Sequence, residues 1–149
     1  MFSGDGKLDG VTDEIVDAAV KLHTALGPGL LESVYETVLV RDLERRSLTV
    51  EAQKSVSFDY DGLQFIEGFR VDLLVASQVV VEIKSVEALL PVHHKQLLTY
   101  LRLMNLPVGL LINFGAATMK EGLRRIVNGF QPSNDSALRV NREHAPPGN

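Results

Sequence analysis

The chain has 149 residues, a length suited to one domain of roughly 100–200 residues with a substantial core. Hydrophobic residues make up 45% and charged residues 23%, an ordinary globular balance that excludes wholesale disorder. The net charge of −4 supplies no global basic field for nucleic acid, and the lack of cysteine excludes disulfides, thiolate zinc sites and a cysteine nucleophile.

Residues 1–11 are rich in Gly and Asp and are expected to form a flexible arm. Thr12 suits a helix N-cap, and Ile15, Ala19, Leu22 and Leu26 then recur at helical spacing. Gly27-Pro28-Gly29 stops that helix. A second helix is predicted from about Leu30 to Arg46, with Leu31, Val34, Val38 and Leu39 as its apolar positions. The period then changes to two. Val50, Ala52, Val56, Phe58 and Tyr60 alternate with polar residues in a first strand, and Asp61-Gly62 is a strong hairpin signal. The next strand places Leu63, Phe65, Phe69, Val71, Leu73 and Val75 on one face, and Arg70, Asp72 and Leu74 on the other. Ala76-Ser77-Gln78 reads as a short turn before a third strand, Val79 to Lys84, apolar enough to be central in the sheet. Pro91 opens a helix to about Met104, Val108 to Phe114 is another buried strand, and Thr118 to Val127 is predicted to be an amphipathic helix. Residues 12–130 are therefore expected to form a single domain, and 131–149 a mobile tail. No apolar run approaches the roughly 18 residues of a membrane span, and the N-terminus lacks a signal-peptide pattern, so a cytoplasmic location is expected.

Asp72 and Glu82 carry most of the chemical information. If residues 76–78 form a three-residue loop, Val75 faces Val79 and Asp72 falls opposite Glu82. Opposed residues have Cβ atoms about 4.5–5.5 Å apart. Two acids that close repel one another and are costly to desolvate, whereas a hard divalent cation removes both penalties. Lys84 lies two residues beyond Glu82 and so projects from the same face. Two acids and an ammonium aimed at one point suit phosphodiester hydrolysis. On residue type alone, Glu82 and Lys84 on a solvated face with Asp72 in a salt bridge fit equally well. Glu32 and Tyr35 share a face of the second helix, with Glu36 one residue on; Gln96 and Tyr100 share a face of the third. Each pair alone suits ordinary surface or core roles better than a site. His93 and His94 read as surface histidines, and no phosphate-binding loop or nucleophile elbow is present.

Taken together, these motifs resemble a known family. Gly29-Leu30-Leu31-Glu32-Ser33-Val34-Tyr35 matches the signature of the GxxExxY proteins. The similarity continues through Asp61-Gly62, Glu67 to Asp72, Val81-Glu82-Ile83-Lys84, Pro91-Val92-His93, Gln96 to Tyr100 and Leu110 to Phe114, over roughly residues 12–129. That family is placed in the PD-(D/E)xK nuclease-like superfamily, and the resemblance implies an α/β fold with an α-β-β-β-α-β core, here with an extra N-terminal helix and a C-terminal helix. It implies that Asp72 and Glu82 are metal ligands joined by Glu32, that Lys84 is the catalytic lysine, and that Mg²⁺ is the cofactor, with Mn²⁺ able to substitute. Gln96 and Tyr100 match the Gln-x-x-x-Tyr motif of RecB-type exonuclease domains; with Tyr35 and Arg70 they form the candidate substrate contacts. Val71 stands where the superfamily often has proline.

The resulting expectation is a metal-dependent nuclease acting on DNA. Two other readings stay open: a catalytically silent nucleic-acid-binding or regulatory module on the same fold, and a subunit that works as a homodimer or through a protein partner. Lys120, Arg124, Arg125, Arg139 and Arg142 offer a candidate local basic patch.

Overall fold

The computed structural model describes residues 3–129 and 138–141. Helix α1 spans Ser3–Leu26 and α2 spans Glu32–Arg45. Strands β1 (Val50–Tyr60), β2 (Leu63–Val75) and β3 (Val79–Lys84) follow, then α3 (Pro91–Met104) and β4 (Val108–Asn113). A single turn, α4 (Met119–Gly122), leads into β5 (Leu123–Val127), and β6 spans Leu138–Asn141. The strands form one sheet in the order β5-β4-β3-β2-β1-β6. Among the described residues only β3 and β4 pair in parallel, because α3 carries the chain back across the sheet between them. The α-β-β-β-α-β core expected from the sequence is therefore present from α2 to β4.

Helices cover both faces of this sheet, as a strand buried on two sides requires. On one face α1 and α2 bury Ile15, Ala19, Tyr35, Leu39 and Leu43 against Leu73, Val75, Val81, Ile83, Leu110 and Ile112. On the other, Leu97, Leu101 and Met104 of α3 pack on Val71, Leu74, Val80, Leu111 and Ile126. All six residues of β4 are buried, and all of β3 except Lys84. The Asp61-Gly62 turn forms as its sequence predicts: both residues have positive φ (53° and 79°), and Tyr60 pairs with Leu63.

Five local expectations are corrected. First, α1 starts at Ser3, so residues 3–11 are helix and not a loose arm. Leu8 and Val11 extend the buried stripe of Ile15 by two turns, and the Thr12 hydroxyl donates to the carbonyl of Asp9 inside the helix. Second, α2 buries Tyr35, Leu39 and Leu43, while Leu31 is 74% exposed and Val34 and Val38 face outward. Two adjacent stripes of this helix have the right period, and the one whose tyrosine finds hydrogen-bond partners goes inside. Third, the alternation along β2 breaks at Asp72: Val71 packs on the α3 side and Leu73 on the α1/α2 side. Opposite this point Gln53 takes a positive φ of 53°, and the pairs Ala52↔Leu73 and Lys54↔Val71 flank it. Fourth, the helix predicted over residues 118–127 stops after one turn. A Cβ on Gly122 would collide with the carbonyl of Asn113, and the segment instead pairs Leu123–Val127 with the open edge of β4. Fifth, residues 138–141 pair with β1 instead of belonging wholly to a tail. The remainder of the predicted tail, 131–137 and 142–149, lies outside the described residues, as does residue 130 at the end of the predicted domain.

Candidate active site

The β2–β3 ladder runs Val75↔Val79, Leu74↔Val80 and Leu73↔Val81, the register deduced from a three-residue loop. At the next position side chains replace the ladder bonds. The Asp72 N–H donates to Glu82 Oε2 at 2.7 Å, and the Ile83 N–H donates to Asp72 Oδ2 at 2.8 Å. Each carboxylate thus takes a main-chain N–H from the opposite strand, and the strands begin to part. The fork brings the two acids side by side.

The electrostatics of this fork follow from burial. Glu82 is 5% exposed, and desolvation, followed by the charge of Asp72, pushes its carboxyl up to about 8. The Asp72 N–H and the Lys84 ammonium pull it back in part, while Glu36 adds to the rise. Lys84 ends β3, half-buried and two residues from Glu82. From the α2 side, Gln53 Nε2 donates to Glu36 Oε1 at 2.7 Å and to Asp72 Oδ1 at 3.5 Å. Burial also raises the Glu36 carboxyl, with Asp72 and Glu32 adding to it and the Gln53 amide and Arg70 opposing it. The positive φ of Gln53 therefore has a local consequence: it sets an amide between two acids.

Glu32 enters from the first turn of α2. Its Oε2 accepts the Ser85 N–H at 3.2 Å, and the Ser85 hydroxyl donates to the Leu30 carbonyl at 2.6 Å. The start of α2 is thereby tied to the residue just after Lys84. Beyond β3, the buried Asn113 amide accepts the N–H groups of Val86 and Gly115 and donates to the Val86 carbonyl, which holds the connecting loop. On the opposite side of the sheet from α2, Tyr100 of α3 is half-buried, and its hydroxyl is raised by burial and then by Glu82 and Asp72. Gln96 sits one turn earlier and exposed; Arg70 is exposed on β2.

Of the residues singled out in the sequence, Asp72, Glu82, Lys84, Glu32 and Tyr100 are brought to the open end of β2 and β3. Tyr35 is not. It is 0% exposed, stacks on Phe114 at 4.5 Å, donates to the Gly27 carbonyl at 2.6 Å and accepts the Leu30 N–H at 3.1 Å. A side chain so enclosed cannot touch a substrate; it closes the Gly27–Leu30 turn that delivers Glu32. His93 caps its own helix, its Nδ1 accepting the Leu90 N–H. Lys120, Arg124 and Arg125 are exposed but belong to α4 and β5, two strands from β3. The side chains of Arg139 and Arg142 lie outside the described residues. The residue missed in the sequence is Gln53, which had no signal beyond being polar in an alternating strand.

Among the described residues no three His, Asp or Glu side chains close into a preformed metal cage. The donor set nevertheless fits a hard divalent cation: paired oxygen ligands at Asp72 and Glu82, further acids at Glu36 and Glu32, and mutual repulsion that a double positive charge would relieve. Among the described residues no helix is long and apolar enough to cross a membrane.

A family model described as the PD-(D/E)XK nuclease superfamily matches residues 9–126. No curated protein and no solved structure matches the chain.

Proposed function

Because the chain belongs to the PD-(D/E)XK nuclease superfamily, whose members generally use divalent metal ions to hydrolyse phosphodiester bonds, we propose that it is a Mg²⁺-dependent deoxyribonuclease in which Mn²⁺ can substitute. The observation that carries this reading is the fork itself: two carboxylates exchanged across parting strands, one of them raised to about 8, with a lysine two residues on. Asp72 and Glu82, with Glu32 at the helix start, would hold the cation. When bound, it would polarise the phosphoryl oxygen and lower the pKa of a water. Lys84 orients the attacking water and stabilises charge on the phosphoryl group. Gln96, Tyr100 and Arg70 position the polynucleotide. Gln53 holds Asp72 and Glu36 apart by a shared amide, which keeps the acids oriented. The finer placement among GxxExxY proteins and a cytoplasmic location belong to the same proposal. Under it the signature acquires a physical sense, since Glu32 reaches Ser85 beside Lys84 and Tyr35 closes the turn that carries it.

The test is digestion of single-stranded DNA, duplex DNA and RNA by the full chain, with Mg²⁺, Mn²⁺ or EDTA. Wild type should cleave DNA only with metal, and Asp72→Ala and Lys84→Ala should each lose on the order of 10²-fold or more. Equal residual activity in all three proteins would end the claim. Tight metal-independent DNA binding, unchanged in Glu82→Ala, would instead favour the silent binding module.

A further inference from the structure

Outside the acid cluster, one face of the β1–β2 hairpin carries more aromatic surface than its small core needs. Phe58 and Phe65 are cross-strand partners with ring centroids 5.1 Å apart. Phe58 meets Phe69 at 6.1 Å, and Phe69 stacks on Tyr100 at 4.5 Å with the planes 11° apart. Four rings thus form a continuous file from the outer hairpin to α3. Its inner end, Tyr100, feels the charges of Glu82 and Asp72. Its outer end is open: Phe65 is 40% exposed, and beyond it the pair Tyr60 and Leu63 are 49% and 61% exposed. The backbone is adapted to this file. The register shifts between Val56 and Phe58, Glu67 takes a positive φ, and the Phe58 ring lies so close over Gly68 that a Cβ there would sit 2.5 Å from it. Nothing in a small hairpin demands that its solvent end be aromatic.

We propose that this file, with Tyr60 beside it, is a stacking track for the unpaired bases of a single-stranded polynucleotide, leading the strand to the carboxylates. The inference rests on the nuclease reading and adds its substrate class. Bases stack on aromatic rings whatever their identity, each for a sizeable gain, and they offer their faces only when the strand is not in a duplex. A base laid on Phe65 continues a pile of rings that already ends beside the acids. The track also supplies what a chain of net charge −4 lacks, a grip on nucleic acid that does not depend on a basic field.

Binding is measured by fluorescence anisotropy on the full chain in EDTA, with an oligothymidylate of about 15 nucleotides and a blunt duplex of equal length. Wild type should prefer the single strand. Phe65→Leu keeps apolar bulk but removes the stacking face, and should weaken single-strand binding about tenfold without changing duplex binding. Phe65→Trp should restore it, and Tyr60→Leu should behave as Phe65→Leu. Thermal melting of each variant establishes that it is folded. Wild-type preference for duplex, or equal single-strand affinity in the leucine and wild-type proteins, overturns the track. So does a wild-type dimer in light scattering that the leucine variants dissociate, which would make this face an interface between copies. Hydrolysis with Mn²⁺ by wild type and Asp72→Ala is read separately, so the track and the nuclease reading fail on different measurements.

Discussion

At Asp72 and Glu82, the geometry that makes the fork useful also makes it costly. Glu82 is buried among apolar neighbours beside another acid, and its carboxyl is raised from an ordinary 4.5 to about 8. In metal-free protein the folded state therefore holds a proton that the unfolded chain releases near 4.5. This contribution to stability is present in full below about pH 4.5, declines as pH rises, and is gone above about pH 8. Urea denaturation in EDTA should show stability falling by up to a few kcal/mol across that window, and Glu82→Gln should flatten the slope. An equally steep slope in Glu82→Gln would place the titration elsewhere. Divalent cation should act most strongly at the alkaline end, where the carboxylate is ionised. The pairing of these acids was legible from loop length and register; the exchange of main-chain N–H groups and the interposed Gln53 were not, because both depend on where β1 breaks its own alternation.

Among the elements, α2 links sequence signature to site. Its first turn delivers Glu32 to Ser85, and the turn before it is closed by the Tyr35 hydroxyl, which serves two main-chain partners. Tyr35→Phe removes a buried hydroxyl and leaves the Leu30 N–H and the Gly27 carbonyl without it, at a cost of about 1–3 kcal/mol. Urea denaturation should register that loss, and metal-dependent cleavage should fall alongside it as Glu32 loses its anchor. Full activity in a destabilised Tyr35→Phe would show that the turn supports the fold alone. The helix also illustrates how periodicity underdetermines packing. Leu31, Val34 and Val38 have a spacing as good as that of Tyr35, Leu39 and Leu43, yet only the second set is buried. At the other end of the chain, Leu123–Val127 carries a pattern readable as helix, and the free edge of β4 makes it a strand.

Over the whole molecule, charge and architecture pull in different directions. The superfamily implies a polyanionic substrate, while the chain is net acidic; of its exposed cations, Lys120, Arg124 and Arg125 belong to α4 and β5, and Arg70 on β2 lies near the acids. Few phosphates can therefore be neutralised by protein cations at once. The affinity for DNA should depend only weakly on salt, with a slope of log K against log salt concentration no steeper than about −3. Anisotropy titrations over a range of potassium chloride would measure it; a steeper slope would require more cations at the site than Lys84 and Arg70.

The elements whose chemistry is local could be read from the chain alone. The Asp61-Gly62 hairpin, the buried β3 and β4, the α-β-β-β-α-β order and the β2–β3 register that brings Asp72 beside Glu82 follow from turn chemistry, period and counting, each specified by stretches of local sequence. Tertiary structure decided which stripe of α2 faces the sheet, that residues 123–127 join β4, that Tyr35 closes a turn, and that Gln53 stands between two acids. Those outcomes turn on competition between surfaces distant in sequence, where an edge strand, a carbonyl or a carboxylate brought near by the fold outweighs the local preference of the residues it meets.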